Sequence, residues 1–381
     1  MKHSEFQNNN KLVVVMSKKS LQMMFLILVA LLMLKIDYRF VEYIGCCGDD
    51  HDYYIHAETI AIDFDLDYSN QLTGNENSRF YKNDKIAPIG FIGTGLLSSP
   101  FLFIGNMLQK YYLQTFDDQQ TLFNLKILMY SFSSVFYLVL TYVFLIKTLI
   151  ILKLNFKATE VLLFLFGSGI SYYAFERYSM THVYEGFVST LILYYSLKFY
   201  SSYSFNKFYP ILIPILIFIG ISIKWVNYFF FLIPFFAYSL LSKNQKISNR
   251  LISSPGFFVS IIFSTLIFFW HTKILYGEIT FNPQFVYGVS GKLEKFILSS
   301  DSLISFTFES LKNTLIIFFS EEFGLVWFSP ILFFSFLFVL KTLLFKDGHS
   351  ILFKILLFLS FAQVLSIVLM WKSTASSYGY R

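Results

Sequence analysis

The sequence predicts an all-α, polytopic membrane protein with about nine transmembrane helices. Of its 381 residues, 55% are hydrophobic and only 14% are charged, whereas about a quarter of the residues in a soluble domain are charged. Its apolar segments reach roughly 20 residues, the length that a helix needs to cross a bilayer. These segments are continuously apolar and do not alternate with polar residues, so they indicate helices and not the strands of a membrane barrel.

Charge and cysteine content argue against two other kinds of protein. The formal net charge is +6, but the lysines lie in short loops between apolar segments, where membrane orientation explains them without nucleic acid. The two cysteines, Cys46 and Cys47, are adjacent. Adjacent cysteines bridge only with strain, and they supply neither a disulfide framework nor a CxxC metal pair.

The first apolar segment, Leu21–Ile36, is interpreted as an uncleaved transmembrane helix whose preceding Lys18 and Lys19 lie on the cytoplasmic side. The polar Met1–Lys19 resembles the start of a signal peptide, but no small-residue cleavage site follows the apolar segment. Eight further spans are predicted at Thr121–Ile146, Ala158–Phe175, His182–Tyr200, Tyr209–Ile223, Asn227–Leu241, Gly256–Leu275, Phe323–Leu340 and Ile351–Met370.

Two long loops are predicted on the outer face within a single domain of residues 1–381. The first, about Asp37–Gln120, holds 13 of the 24 acids of the chain against five basic residues. The second covers about Tyr276–Glu322. No P-loop, GxGxxG motif or zinc-ligand spacing occurs in the sequence.

The segment Ile86–Leu108 allows two topologies. It is apolar enough to span, but glycines and prolines interrupt it. If it spans, the three lysines of the loop Lys147–Lys157 fall outside. If it lies on the outer surface as an amphipathic or re-entrant piece, those lysines and the lysines of every later short loop fall inside. We favour the outer-surface position.

The most unusual polar stretch is Gly45–Ile55, which places Asp49, Asp50, His51 and Asp52 in succession close after the first span. Carboxylates near a membrane surface are costly unless they are used. Neighbouring carboxylates near a low-dielectric surface have raised pKa values, which suits a general base. The alternative is a solvated loop whose aspartates cap a helix near Tyr53–Ala61.

Three further positions on the predicted outer side could contact an anionic or polar substrate. Lys85 precedes a Pro/Gly break and could bind a phosphate, or be an interfacial lysine. His182, in the stretch Glu176–Glu185 with Arg177, could orient a substrate, or belong to a capped turn. Lys224 ends the fifth span against the positive-inside trend, so it needs a partner anion, either a neighbouring acid or a substrate phosphate.

Two candidates lie near the C-terminus. Glu321 belongs to Phe318–Pro330 at the entrance of a span, where acids form a site or a polar cap. Arg381 follows a Gly turn and could clamp a phosphate or anchor the chain at the interface. All candidate clusters fall on the outer side, out of reach of cytosolic nucleotide sugars. The substrate or donor must therefore arrive in the membrane.

These motifs, taken in order, resemble those of a bacterial polyprenyl-phosphate-dependent glycosyltransferase of the C superfamily (GT-C), close to the protein mannosyltransferases and the lipid A aminoarabinose transferases. The similar stretches are Gly48–Tyr53, Asp65–Asn70, Lys85–Gly90, Met180–His182, Phe318–Pro330 and a Trp371, Ser376, Gly379, Arg381 ending with relaxed spacing. They are scattered over most of the chain. Each is loosely specific, and the ordered set is more specific than its members.

The resemblance implies that the first acid of the outer loop is the catalytic base, so Asp49 is the first candidate and Asp50 the second. His51, Asp52, Lys85, His182, Lys224, Glu321 and Arg381 are then the substrate-binding candidates. The chain departs from the family pattern at three points. The acidic pair is Asp-Asp instead of Asp-Glu, Lys224 stands for the usual arginine, and the chain ends after the final motif, which suggests a C-terminal truncation.

The expected function is transfer of a sugar from polyprenyl phosphate to an acceptor hydroxyl, with inversion, at the outer (periplasmic) face of the inner membrane. The acceptor is a lipid, a glycan or a protein. The three acids Asp49, Asp50 and Asp52 could bind a divalent cation but are too few and too close in sequence to argue for one. The alternatives are a lipid-linked glycan polymerase, a transporter or flippase, and a structural membrane protein.

Overall fold

The computed structural model describes residues 49–72, 81–116, 124–201, 208–242, 254–282, 325–328, 330–344 and 353–359, together with the single residues 251, 286, 312, 315, 316, 318 and 319. Over these residues the chain is all-α, as predicted, apart from one short hairpin. The α-helices are α1 (Asp49–Glu58), α2 (Gly93–Phe116), α3 (Leu125–Ile151), α4 (Ala158–Gly167), α5 (Ile170–Phe175), α6 (His182–Ser201), α7 (Phe208–Ile223), α8 (Ile233–Ser242), α9 (Pro255–Tyr276), α10 (Leu325–Phe328) and α11 (Pro330–Leu344).

Three shorter elements complete the description. A π-helical turn, Thr59–Asp63, continues α1, and a 3₁₀ helix, Trp225–Leu232, leads into α8. The hairpin pairs β1 (Tyr81–Lys82) with β2 (Lys85–Ile86) in antiparallel register. Its turn residues, Asn83 and Asp84, both have positive φ angles, which Asn and Asp tolerate better than most residues.

The helices follow the apolar segments of the sequence, with two corrections. The sequence predicts one continuous helix over Ala158–Phe175, but the structure divides it into α4 and α5. Gly169, with φ 79°, takes a left-handed conformation that interrupts a helix and that glycine adopts without a steric penalty. The sequence also predicts one helix over Asn227–Leu241, and the first part of this segment is the tighter 3₁₀ helix.

Two of the helices in the described residues, α3 and α9, are long and apolar enough to cross a membrane. These criteria concern length and composition, and a core helix of a soluble protein also meets them. Four shorter apolar helical stretches accompany them: α4, α7, the stretch Trp225–Leu241 and the stretch Phe333–Leu344. The α-helical class is therefore established, while the nine-helix topology belongs to the proposal made below.

The core is an aromatic interface between α3 and α6, backed by α7 and then by α9. Tyr137 of α3 packs on Phe187 of α6 with 4.8 Å between ring centroids, and Phe144 packs on Tyr194 at 5.2 Å. Residue numbers rise together along both helices in these contacts, so α3 and α6 run in the same direction. Their N-termini therefore lie at the same end of the molecule.

Helix α2 folds back along α3 as an antiparallel hairpin. The hydroxyl of Tyr137 donates to the Leu97 carbonyl at 2.9 Å, and the amide of Lys126 donates to Gln109 Oε1 at 3.1 Å. The opposite face of α2 leaves large apolar side chains exposed, among them Met107 and Tyr111. Helix α2 therefore packs one face on α3 and exposes several large apolar side chains on the other.

Several chain segments meet where α3 and α6 begin, and we call this region the α1 end. The turn 176–181 before α6 contacts Asp50 of α1. Helix α7 finishes there, because Lys224, which follows its last residue, lies 3.9 Å from Glu185 in the first turn of α6. Helix α9 also finishes there, because Tyr276 bonds the Gly90 carbonyl beside α1.

Candidate functional site

The acidic stretch forms the first turn of α1. Asp49 begins the helix, and its side chain lies outside the described part of the structure. The side chains of Asp50 and Asp52 are buried, whereas His51 is exposed. Acids in a first turn interact favourably with the helix dipole. The sequence alternative of a solvated loop that caps a helix near Tyr53–Ala61 is therefore wrong, because the helix already begins at Asp49 and contains Asp50 and Asp52 as buried residues.

Arg177 holds the side chain of Asp50. The guanidinium Nη2 lies 2.5 Å from Asp50 Oδ2, and Nε donates to the same oxygen at 2.8 Å. Both side chains are largely buried, with 14% and 7% of their surfaces exposed. A buried carboxylate is costly unless it is paired, and a guanidinium stabilises its charged form. The turn before α6 thus supplies the partner that a buried carboxylate at Asp50 requires.

A second set of bonds fixes the main chain of the same residue. The hydroxyl of Ser179 donates to the Asp50 carbonyl at 2.6 Å, and the hydroxyl of Tyr130 lies 2.7 Å from Ser179 Oγ. Tyr130 and Ser179 are buried. The ring of Tyr130 also contacts those of Tyr54 in α1 and Tyr178 in the turn. These contacts join α1, α3 and the turn 176–181 at one point.

The two cationic or polar candidates next to this turn also have protein partners. Lys224, just after α7, lies with Nζ 3.9 Å from Glu185 Oε1, and both side chains are partly buried. The sequence left open whether Lys224 meets an acid or a substrate phosphate, and the structure supplies the acid. His182, the first residue of α6, packs its ring on Tyr173 with 4.1 Å between centroids.

Lys85 is exposed on β2, at the end of α9. The hairpin is attached there, because Asn83 donates a side-chain hydrogen bond to the Tyr276 carbonyl at 3.1 Å. The segment that follows Lys85 reaches α1 through the Gly90 carbonyl. This oxygen accepts from His56 Nε2 at 2.8 Å and from the Tyr276 hydroxyl at 2.9 Å.

His56 is a buried residue that the sequence reading missed. Its Nε2 donates to Gly90, so its Nδ1 accepts from the Tyr68 hydroxyl at 2.7 Å. Burial lowers the pKa of His56 to about 4, and the imidazole is therefore neutral near pH 7. A helical spacing in the sequence would have found it, since Asp52 and His56 lie four positions apart on α1, Thr59 follows three positions later in the π-helical turn, and all three are buried.

Two predicted contributors, Glu321 and Arg381, lie outside the described residues. Arg177, Ser179, Tyr130 and Glu185 are the residues that the structure adds to the predicted set. Arg177 and Glu185 stood in the stretch noted beside His182, but nothing in their local sequence indicates that Asp50 and Lys224 are their partners. Within the described ranges, no group of three or more His, Cys, Asp or Glu side chains is arranged to hold a metal ion.

Comparison of the chain with protein-family models, curated proteins and solved structures found no match. The site is therefore interpreted from its own chemistry. It combines a buried carboxylate that is paired with Arg177 and has acidic neighbours at the head of α1, a lysine just after α7, and a histidine at the start of α6.

Proposed function

We propose that this protein is a membrane glycosyltransferase that moves a sugar from a polyprenyl-phosphate donor to an acceptor hydroxyl. The observation that carries the proposal is the pairing of Asp50 in α1 with Arg177 in the turn just before α6. His182 begins that helix, and Lys224 lies near Glu185 in its first turn. Acids and cations placed together at a helix end, and not in the middle of the helices, suit chemistry at a membrane surface on a substrate carried in the lipid.

The proposed topology has about nine transmembrane helices and a GT-C-like arrangement, in the plasma membrane with the α1 end outside. Helices α3 and α9 are its best-supported spans. The outer-surface placement of Ile86–Leu108 is supported by α2, which is not among the described helices that meet the length and composition criteria for crossing a membrane. At the opposite end, Lys147 lies in the last part of α3, and Lys153 and Lys157 lie in the short loop that follows it.

The proposed reaction is a single displacement at C1 of the sugar. A carboxylate at the head of α1, Asp49 first and Asp50 second, takes the proton of the acceptor hydroxyl. The acceptor oxygen bonds to C1 as the bond from C1 to the phosphate oxygen breaks, and the anomeric configuration inverts. The transition state has oxocarbenium character, as in glycoside chemistry.

The leaving lipid phosphate requires positive charge. Lys85, Lys224 and Arg381 are proposed to neutralise it, and His51, Asp52, His182 and Glu321 to line the donor and acceptor. The 3.9 Å separation of Lys224 from Glu185 is longer than a direct hydrogen bond. A lysine ammonium carries three donors, so it can bind a second anion beside Glu185. The acceptor is a lipid, a glycan or a protein, and a divalent cation is not required by the proposal.

The test is transfer of radiolabelled sugar from polyprenyl phosphate in membranes, with wild type compared with Asp49→Asn and Asp50→Asn. A positioned general base contributes roughly 10²–10⁴-fold to the rate. We expect a loss of this size in the variant that lacks the base, while both variants remain inserted in the membrane.

The matched control is Glu278→Gln, which neutralises an exposed acid just after α9. It should leave transfer unchanged. Equal transfer in wild type and both aspartate variants would show that the acidic turn only opens a helix, and it would overturn the proposal.

A further inference from the structure

The bonds around Asp50 have a defined direction. The Asp50 carbonyl oxygen can only accept, so the Ser179 hydroxyl donates to it. Ser179 has one hydroxyl proton, so Tyr130 must be the donor in the 2.7 Å contact with Ser179 Oγ. The result is a buried relay from Tyr130 in α3, through Ser179 in the turn, to the main chain of α1. Hydrogen bonds in such a chain polarise and strengthen one another.

The relay and the Arg177 ion pair act on the same residue from the same turn. Arg177 bonds the Asp50 side chain, and Ser179, two residues later, bonds the Asp50 main chain. The turn can hold both only if its own position is fixed. Tyr130 supplies that fixed point, because it belongs to the long helix α3, is fully buried and contacts rings on both sides, Tyr54 and Tyr178.

We propose that Tyr130 is a positioning residue for the acidic turn of α1, acting through Ser179 to fix Asp50 and its neighbours for proton transfer. This inference rests on the proposed glycosyltransferase function. A small displacement of a catalytic group costs up to about 10²-fold in rate. Loss of one hydrogen bond of the relay should therefore lower the turnover rate with little effect on donor binding.

A neighbouring hydrogen bond provides a matched control. Tyr184 of α6 bonds Ser133 of α3 at 2.7 Å, and both residues are buried. This bond also joins α3 to the chain that follows the turn, but it contains neither Asp50 nor a residue of the turn. Tyr130→Phe and Tyr184→Phe each remove one buried hydroxyl and keep the ring. A purely structural role for Tyr130 predicts that the two variants behave alike.

The first measurement is the kinetics of transfer from polyprenyl-phosphate sugar by the purified full chain in detergent or vesicles. We expect Tyr130→Phe to lower kcat about ten- to hundredfold with KM nearly unchanged, and Tyr184→Phe to lower it less than about twofold. Ser179→Ala should reproduce the Tyr130→Phe effect, and the double variant should be no slower than Ser179→Ala, because the two residues act in series.

The second measurement does not depend on the donor. Hydrogen–deuterium exchange of the amides in residues 49–56 and 176–181 should accelerate in Tyr130→Phe and Ser179→Ala, and not in Tyr184→Phe. Equal exchange and equal kcat in the two tyrosine variants would overturn the positioning role. If wild type transfers no sugar, the proposed function fails, and exchange alone then decides whether the relay fixes α1: accelerated exchange supports it and unchanged exchange refutes it.

Discussion

At the scale of single residues, Asp50 and Lys224 have protein partners that the local sequence does not reveal. Asp50 is held by Arg177, which lies 127 positions later in the chain, and Lys224 lies near Glu185. Such pairs keep ionised groups inside an apolar protein, where an isolated charge would be too costly. A site built in this way is arranged before any substrate binds.

The buried His56 makes stability depend on pH. Its folded-state pKa of about 4 lies below the ordinary value of 6.5, so the unfolded chain binds the proton more readily. Stability should be highest above about pH 6.5 and should fall as the pH drops from 6.5 toward 4, by up to about 3 kcal/mol. The thermal midpoint of the purified protein, measured across this range, tests the expectation.

The variant His56→Gln can still donate to the Gly90 carbonyl but does not titrate, so its stability should fall less over the same interval. His51→Gln is the matched control, since His51 is an exposed histidine of the same helix. It should follow the wild-type curve. A wild-type curve that is flat between pH 6.5 and 4, or a His56→Gln curve with the full wild-type fall, would contradict the assignment.

At the scale of elements, the position of α1 depends on its close approach to α2. Gly95 of α2 faces the main chain of α1, and a Cβ atom at this position would lie 2.8 Å from the amide nitrogen of Ala57. Backbone cannot move aside as a flexible side chain can. Gly90 plays a related part, because its carbonyl joins α1 to α9 through His56 and Tyr276.

Gly95→Ala should therefore destabilise the protein by about 1–3 kcal/mol and should lower sugar transfer by moving the acidic turn. Unfolding in detergent and the transfer assay measure the two effects. Gly256→Ala is the control, because an added Cβ there meets only the side chains of Ile211 and Ser254, the nearest atom at 3.2 Å. Similar effects of the two substitutions would show that the approach of α1 to α2 is not tight.

At the scale of the whole molecule, the candidate site residues gather at the α1 end. Helices α3 and α6 begin at this end, and α7 and α9, which run in the opposite direction, finish there. The opposite end carries, among the described residues, the short loop after α3 with Lys153 and Lys157. This polarity is what a membrane protein with a site at one surface requires.

The polarity can be measured with single cysteines in a chain whose Cys46 and Cys47 are replaced by serine. Asp84→Cys lies in the exposed hairpin at the α1 end, and Leu154→Cys lies in the exposed turn after α3. A membrane-impermeant maleimide should label the first in intact spheroplasts and the second only after permeabilisation. The reverse pattern would invert the proposed orientation, and labelling of both in intact spheroplasts would contradict a membrane between the two ends.

The sequence by itself determined the α-helical class and most helix positions, because a continuous run of apolar residues favours a helix wherever it lies in the chain. It also marked Asp50, Asp52, His182 and Lys224 as exceptional, since ionisable residues are few in such a composition. It missed the break at Gly169, because a single glycine inside an apolar segment is compatible with a continuous helix.

Only the tertiary structure decided which of these groups meet. The contacts that build the site join residues 34 to 129 positions apart in the chain. They are the pairing of Asp50 with Arg177, the relay through Ser179 to Tyr130, and the contact of His56 with Gly90. Sequence periodicity fixes which face of a helix a residue occupies, but not which other helix covers that face. Which helix covers that face depends on how all the helices pack together, and this packing gives the acids of α1 their partners.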